Sequence, residues 1–256
     1  MIDLIGIPYE GGENFLKGTS LGPSKIRWAL ESLEVWSIYQ NESIPEYIDH
    51  GDFIPPEESP EDVYRTIEEK ISNINPQKIA IIGGDHNITY PVVKFLNRKD
   101  ENFVVVHFDA HLDMRDTYKG NLFSHATVMK RVLELVGEDR LISLGYRSFA
   151  KGEEVPPRFS APFEILRPLK QFLYELKPEK IYLTVDLDVL DPSEFPAVSN
   201  PEPGGISFKE LLNAIMELRG KLIGFDIVEF NPIAFTGSFP AMTAATILRE
   251  LLIALK

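Results

Sequence analysis

Five aspartates and two histidines that could bind metal ions fall into three short clusters along the chain. The clusters are Gly83-Gly84-Asp85-His86, Asp109-Ala110-His111-Leu112-Asp113 and Asp186-Leu187-Asp188. One hard divalent ion rarely needs so many carboxylates, whereas two neighbouring ions do. Oxygen and imidazole ligands without a thiolate fit manganese better than structural zinc. The clusters therefore predict a hydrolytic site with two metal ions.

The spacing within two clusters would direct their side chains to a common side. Asp109, His111 and Asp113 occupy alternate positions, and so do Asp186 and Asp188. In an extended segment, alternate side chains point to the same side. We therefore expect each segment to present its metal-binding groups to one volume.

In the remaining cluster, His86 follows two glycines and an aspartate. Gly83 and Gly84 permit a tight turn and leave room beside the backbone. His86 could be a metal ligand, although this cluster taken alone fits a histidine hydrogen-bonded in a loop better. Asp85 is interpreted as a group that supports the turn or a neighbouring imidazole. His107, two residues before the second cluster, is interpreted as a packed strand residue.

Two further polar residues could act on a substrate. His125 precedes a predicted helix and lies outside the clusters. It could shuttle protons, because imidazole changes charge near neutral pH, although a capping or surface histidine fits the sequence equally well. Glu229 follows a predicted strand and could anchor a cationic group; the alternative is an ordinary loop acid.

Strand-like runs rich in Ile, Val, Leu and Phe alternate with segments of helical periodicity. The predicted strands are Ile2–Pro8, Lys78–Ile82, Asn102–Phe108, Arg140–Leu144, Lys180–Val185 and Leu222–Val228. The predicted helices are Pro23–Leu33, Pro60–Asn73, Ala126–Val136, Ser207–Arg219 and Met242–Leu255. This alternation predicts an α/β fold with a mostly parallel sheet covered on both faces.

Each cluster, and also Glu229, lies at the end of a predicted strand. Open parallel sheets bind ligands outside the carboxyl ends of their strands, so these groups are expected to converge at one edge. The sequence contains no internal repeat, low-complexity tract or Gly/Ser linker. We therefore predict a single domain over residues 1–256.

Composition limits the classes of partner. The formal charge of −13 argues against nucleic acid and would suit a small cationic molecule, although an acidic surface also serves solubility. The absence of cysteine excludes disulfides and a thiol nucleophile. The apolar runs are too short to span a bilayer, and the amino terminus lacks the basic flank of a signal peptide. These features predict a cytoplasmic protein that does not bind membranes.

Taken together, the motifs resemble those of the ureohydrolase family, the arginases, agmatinases and their relatives. The matching motifs are Gly-Gly-Asp-His (83 to 86), Asp-Ala-His-Leu-Asp (109 to 113), Asp-Leu-Asp-Val-Leu-Asp-Pro (186 to 192) and Glu-Phe-Asn-Pro (229 to 232). The resemblance extends over nearly the whole chain. It implies a three-layer α/β/α sandwich around an eight-stranded, mostly parallel sheet, and a homo-oligomer, either a trimer or a hexamer.

The resemblance also implies two Mn²⁺ ions per chain and a role for each site residue. One ion would be held by His86, Asp109, Asp113 and Asp186, and the other by Asp109, His111, Asp186 and Asp188. Asp109 and Asp186 would bridge the ions. His125 matches the family's proton-shuttle histidine, and Glu229 matches the acid that pairs with the guanidinium. Asp113 or His125 would deliver a proton to the leaving amine.

Within the family, two segments, Asp109–Asp116 and Ser124–Met129, look most like the agmatinases. The implied reaction is hydrolysis of agmatine to putrescine and urea, a step of polyamine biosynthesis. Arginases carry Ser-Gly-Asn before the shuttle histidine, where this chain has Asn121–Ser124. Ser199 and Asn200 stand where agmatinases usually have Gly-Thr.

Several alternatives stay open. The sister enzymes act on arginine, guanidinobutyrate, guanidinopropionate or formiminoglutamate. A dinuclear phosphohydrolase is a more distant alternative, because only Arg115 and Arg147 lie near the motifs to hold a phosphate. A non-catalytic guanidino-binding protein of the same fold could dispense with metal ligands, yet every proposed ligand is present here.

Overall fold

The computed structural model describes residues 1–11, 15–56, 59–156 and 158–256. These residues form nine strands: β1 (Ile2–Ile7), β2 (Trp36–Ser37), β3 (Glu42–Ser43), β4 (Tyr47–Asp52), β5 (Lys78–Gly83), β6 (Val104–Phe108), β7 (Leu141–Leu144), β8 (Ile181–Asp186) and β9 (Leu222–Val228). Seven of them build the main sheet, in the order β4-β1-β5-β9-β8-β6-β7. Every neighbouring pair in this sheet is parallel.

Helices cover both faces of the sheet. The described residues form seven α-helices: α1 (Gly22–Leu30), α2 (Pro60–Ile74), α3 (Thr89–Lys99), α4 (Val128–Val136), α5 (Leu166–Leu176), α6 (Phe208–Glu217) and α7 (Phe239–Leu255). The first, fifth, sixth and seventh pack on one face, and the other three pack on the opposite face. None of these helices has both the length and the apolar character needed to cross a bilayer.

The strands are apolar on both sides because both sides are covered. In β5, Ala80 and Ile82 belong to one hydrophobic core, and Ile79 and Ile81 belong to the other. The predicted α/β/α architecture is confirmed. The strand count of eight is wrong by one, since the described chain gives a main sheet of seven strands and β2 pairs with β3 in a separate hairpin.

The six predicted strands are all present, but five elements were not named in advance: the hairpin strands β2 and β3, the edge strand β4, and the helices α3 and α5. β4 has the sequence Tyr-Ile-Asp-His-Gly-Asp and is largely exposed at the sheet edge, so it lacks the apolar run of a buried strand. The helices α3 and α5 each contain a proline near their start, Pro91 and Pro168. Proline is compatible with a first helical turn, where its missing N–H would have no partner in the helix.

Candidate active site

The residues singled out in the sequence follow four strands that are neighbours in the sheet. His86 comes after β5, Glu229 after β9, Asp186 at the end of β8, and Asp109 after β6. The sheet order β5-β9-β8-β6 places these strand ends side by side. Segments far apart in the chain therefore meet at one edge of the sheet, as the parallel topology predicts.

A recurring turn holds the carboxylates at these strand ends. The Oδ1 atoms of Asp85, Asp109 and Asp186 each accept a hydrogen bond from the backbone amide two residues later. Aspartate favours such turns because its short side chain reaches that amide. In Asp109 and Asp186 this anchors one carboxylate oxygen and leaves Oδ2 directed into the site.

The close approach of two backbones explains one glycine of the first cluster. A β-carbon on Gly84 would lie 2.3 Å from the carbonyl oxygen of Tyr9, so a side chain would force the two segments apart. The Asp85 side chain accepts the amide of Asn87 at 3.0 Å and supports the turn that carries His86.

One group of ligand atoms surrounds the His86 imidazole. Its Nδ1 atom lies 3.2 Å from Oδ2 of Asp109, 3.2 Å from Oδ2 of Asp113 and 3.3 Å from Oδ2 of Asp186. The ring is fully buried, and Nδ1 makes no hydrogen bond. A buried imidazole nitrogen that faces three carboxylate oxygens has the geometry of a metal ligand, because one cation between them would satisfy all four atoms.

A second group of ligand atoms surrounds His111. Its Nδ1 atom lies 2.9 Å from Oδ2 of Asp188 and 3.5 Å from Oδ1 of Asp109. Asp188 is held by the amide of Ala110, which donates to its other oxygen at 3.0 Å. Asp109 thus contributes one oxygen to each group, so the two groups adjoin. The donor set fits two hard cations that share this carboxylate.

The electrostatics of the cluster also favour bound cations. Burial raises the pKa of Asp186 well above its usual range, and the charges of Asp188 and Asp109 raise it further. Burial raises the pKa of Asp188 as well. For Asp109, burial acts in the same direction, but the imidazoles of His107, His111 and His86 together outweigh it and the pKa of Asp109 falls well below its usual range. Acids that repel one another in a dry site are stabilised by positive charge.

Glu229 lies beside the first group of ligand atoms. Its backbone φ is 63°, in the left-handed region that residues other than glycine rarely adopt. The Glu229 amide donates to the carbonyl of Gly84 at 2.8 Å, and its Oε1 accepts the amide of His86 at 2.8 Å. Burial, and then the charge of Asp85, raises the pKa of Glu229 well above its usual range. A cation bound nearby would stabilise the ionised form.

His125 opens a short 3-10 turn ahead of α4. Ser124 and Thr127 form a capping box, in which each side chain bonds the backbone of the other residue. The His125 ring packs edge-on against Tyr118, with 5.3 Å between ring centroids, and its Nδ1 lies 3.9 Å from Oδ2 of Asp85. Because the cap holds the backbone, the imidazole is presented to the cavity from a defined position.

A cavity of about 270 Å³ opens above these residues. Its lining includes His111, Asp113, His125, Asp186, Asp188 and Glu229. Typical pockets for drug-sized ligands enclose roughly 300 Å³ or more, so this cavity suits a small substrate. All the predicted site residues except the buried His86 and Asp109 reach its surface.

The outer wall of the cavity contains charges that the sequence analysis did not identify. Glu153 and Glu202 line it, and Glu153 accepts a hydrogen bond from Nε of Arg115 at 3.0 Å. Arg147 lies behind the wall, where its guanidinium donates to backbone carbonyls, including those of Glu202 and Asp188 at 2.6 and 2.8 Å. Arg147 therefore stabilises the loop that contains Glu202, and its guanidinium does not face the cavity.

Ser199 has a structural role. Its hydroxyl donates to the carbonyl of Leu16 at 2.9 Å and accepts from Nδ2 of Asn231 at 3.0 Å. Ser199 therefore connects three segments of the chain through hydrogen bonds. Both Ser199 and Asn200 line the cavity.

A model of the arginase family matches residues 1–254. The chain belongs to the arginase family. The agmatinase of Bacillus subtilis (strain 168) is 34% identical over 261 residues, which cover 98% of this chain and 90% of that protein. Arginase 1, mitochondrial, of Oryza sativa subsp. indica is 33% identical over 97% of this chain and 79% of its own length. The ureohydrolase resemblance and the hydrolase class predicted from the motifs are confirmed.

Solved structures of several hydrolytic enzymes share the fold. The agmatine ureohydrolase of Thermoplasma volcanium superimposes with a TM-score of 0.89 at 30% identity, covering 99% of this chain and 89% of that one. The formimidoylglutamase of Bacillus subtilis subsp. subtilis str. 168 gives a TM-score of 0.85 at 26% identity, covering 99% and 86%. Because enzymes named for different substrates have this fold, the choice of substrate must come from the cavity wall.

Proposed function

We propose that this arginase-family enzyme hydrolyses agmatine to putrescine and urea with two Mn²⁺ ions per chain. His86, Asp109, Asp113 and Asp186 would hold one ion, and Asp109, His111, Asp186 and Asp188 the other. Two observations support this set: the unsatisfied Nδ1 of His86 facing three carboxylates, and the carboxylate of Asp109 shared by both groups. The cytoplasmic location, the homo-oligomer and the single domain remain predictions from the sequence.

The charge of the cavity wall is the observation that favours agmatine. Among the described residues that line the cavity, Arg115 is the only lysine or arginine, and its charge is compensated by Glu153. Glu202 adds a further acid at the wall. An α-carboxylate, as in arginine, would find no free cation there and would meet like charges. The terminal amine of agmatine suits the same surface.

In the proposed reaction, different residues act at successive steps. Manganese held by the proposed ligands would supply hydroxide at neutral pH, because a coordinated divalent cation lowers the pKa of water to near neutrality. Glu229 pairs with the substrate guanidinium and holds its carbon in line for attack. After attack, the tetrahedral carbon loses its amine. Asp113 or His125 delivers the proton that this amine needs to leave.

The substrate assignment is tested by measuring urea release from agmatine, arginine, guanidinobutyrate and guanidinopropionate. We expect kcat/KM for agmatine to exceed that for arginine by at least about 100-fold, equivalent to about 2.7 kcal/mol. Formiminoglutamate is added with formamide as the readout. Comparable rates on arginine, or formamide as the main product, would assign the enzyme to a sister activity.

His125→Asn is expected to lower kcat for agmatine by about 100-fold while leaving manganese binding intact. Positioned proton transfer contributes about this much, and His125 lies outside both ligand groups. The matched control is His50→Asn, because His50 pairs with Asp3 away from the cavity. If the His125 variant turns over agmatine as fast as the control does, His125 takes no part in the reaction.

A further inference from the structure

A buried hydrogen-bond chain lies beneath His86 in the sheet. Nε2 of His86 lies 2.9 Å from Oγ1 of Thr184, and that hydroxyl donates to Oδ1 of Asp226 at 2.6 Å. Tyr182 and Thr89 donate to the other oxygen of Asp226 at 2.6 and 3.0 Å. All five side chains are fully buried. This series of hydrogen bonds therefore connects the candidate metal site to a carboxylate in the centre of the sheet.

The topology places these groups together. Thr184 on β8 and Asp226 on β9 are direct neighbours in the parallel ladder. Asp226 stands between apolar neighbours in Gly-Phe-Asp-Ile-Val, where burial of a charge costs free energy. A carboxylate at such a position needs several donors, and the three hydroxyls supply them.

The donor and the acceptor of each hydrogen bond between His86 and Asp226 follow from where their protons must lie. His86 can bind a cation through Nδ1 only when Nδ1 carries no proton, so the ring proton must lie on Nε2. Nε2–H then donates to Thr184, whose single hydroxyl proton goes to Asp226. Because Tyr182 and Thr89 also donate to Asp226, this carboxylate acts only as an acceptor. Thr184 is thereby kept oriented to accept from His86.

We propose that Asp226, acting through Thr184, is a positioning residue that sets the tautomer and ring orientation of His86 for metal binding. The inference depends on the proposed manganese site. Groups behind a ligating histidine fix its tautomer, and their loss typically weakens metal affinity by about 10- to 100-fold. A purely structural role for Asp226, in satisfying the buried hydroxyls of Tyr182 and Thr89, would affect stability alone.

Four variants separate these roles. Thr184→Val removes the hydroxyl that links His86 to Asp226 and preserves the shape of the side chain. Thr184→Ser keeps a hydroxyl at this position. Asp226→Asn removes the charge that orients Thr184. Tyr182→Phe is the matched control, since it removes one hydrogen bond to the same carboxylate without interrupting the path to His86. Each full-length variant is stripped of metal, and its Mn²⁺ affinity is measured by competition with a fluorescent chelator. The melting temperature of each metal-free protein is recorded in parallel.

We expect Thr184→Val and Asp226→Asn to weaken Mn²⁺ binding by about 10- to 100-fold. Thr184→Ser and Tyr182→Phe should stay within about threefold of the native protein. If Thr184→Val does not fold, Asp226→Asn against Tyr182→Phe carries the comparison. Native affinity in Asp226→Asn, or equal losses in it and Tyr182→Phe, would overturn the inference. Failure of the native protein to bind Mn²⁺ would instead contradict the proposed function.

Discussion

Replacing Asp109 with asparagine is expected to abolish the two-ion site and to lower urea release by at least about 1,000-fold. Oδ2 of Asp109 lies 3.2 Å from Nδ1 of His86, and Oδ1 lies 3.5 Å from Nδ1 of His111. A neutral amide cannot bridge two cations. Loss of metal-supplied hydroxide removes several kcal/mol of catalysis, and about 4 kcal/mol corresponds to about 1,000-fold in rate.

The Asp109 variant is measured by manganese content after dialysis and by urea release from agmatine at saturating Mn²⁺. Asp100→Asn is the matched control, because Asp100 pairs with Lys180 at the surface, away from the site. The control should match the native protein in both measurements. Two tightly bound ions in the Asp109 variant would show that this carboxylate is not shared between them.

Glu229→Gln is expected to lower kcat/KM for agmatine by about 100- to 1,000-fold and to change Mn²⁺ affinity little. Glutamine retains the oxygen that accepts the amide of His86, so the local backbone should persist. It removes the charge that would pair with the guanidinium. Loss of one partner of a buried charge pair costs roughly 2–5 kcal/mol, which includes this range.

Steady-state kinetics and chelator competition measure the two effects of the Glu229 change separately. Glu217→Gln is the control, since Glu217 forms a surface ion pair with Lys170. Equal kcat/KM in both variants would refute the anchoring role. A large loss of Mn²⁺ affinity in Glu229→Gln would assign the residue to metal binding.

The candidate metal site could be predicted from the sequence because its residues follow buried parallel strands. The apolar runs before Asp109 and Asp186 identify β6 and β8, and parallel strands end at the same edge of a sheet. The prediction from alternate spacing assumed extended segments, and that premise is wrong: a 3-10 turn begins at Leu187, and Asp113 has a φ of 53°. The strand β4 was not predicted, because it lies at the sheet edge and its residues are polar and exposed instead of forming an apolar run.

The supporting groups were not predictable in the same way, because they depend on register. His107 is a buried residue of β6, as interpreted from the sequence, but its hydrogen bonds were not foreseen. Its Nε2 lies 2.8 Å from Oδ2 of Asp109, and its Nδ1 lies 3.1 Å from Oγ of Ser143 on β7. The pairing of Thr184 with Asp226 likewise requires the alignment of β8 with β9. The sequence did contain an indication that Asp226 has buried hydrogen-bond partners, because it is the only acid in an otherwise apolar strand.

The cavity wall was the least predictable part. Glu153 and Glu202 come from irregular segments with no periodicity to indicate their direction. From the sequence, Arg147 was a candidate to hold a phosphate, but its guanidinium donates hydrogen bonds to backbone carbonyls. Arg115 is paired with Glu153. Neither arginine is available as a phosphate clamp, which disfavours the dinuclear phosphohydrolase.

Calorimetric titration of Mn²⁺ into the metal-stripped native protein tests the central claim most directly. We predict two ions bound per chain, with urea release from agmatine appearing only as the sites fill. A single ion per chain, no binding, or full activity in the metal-stripped protein would contradict the two-metal account.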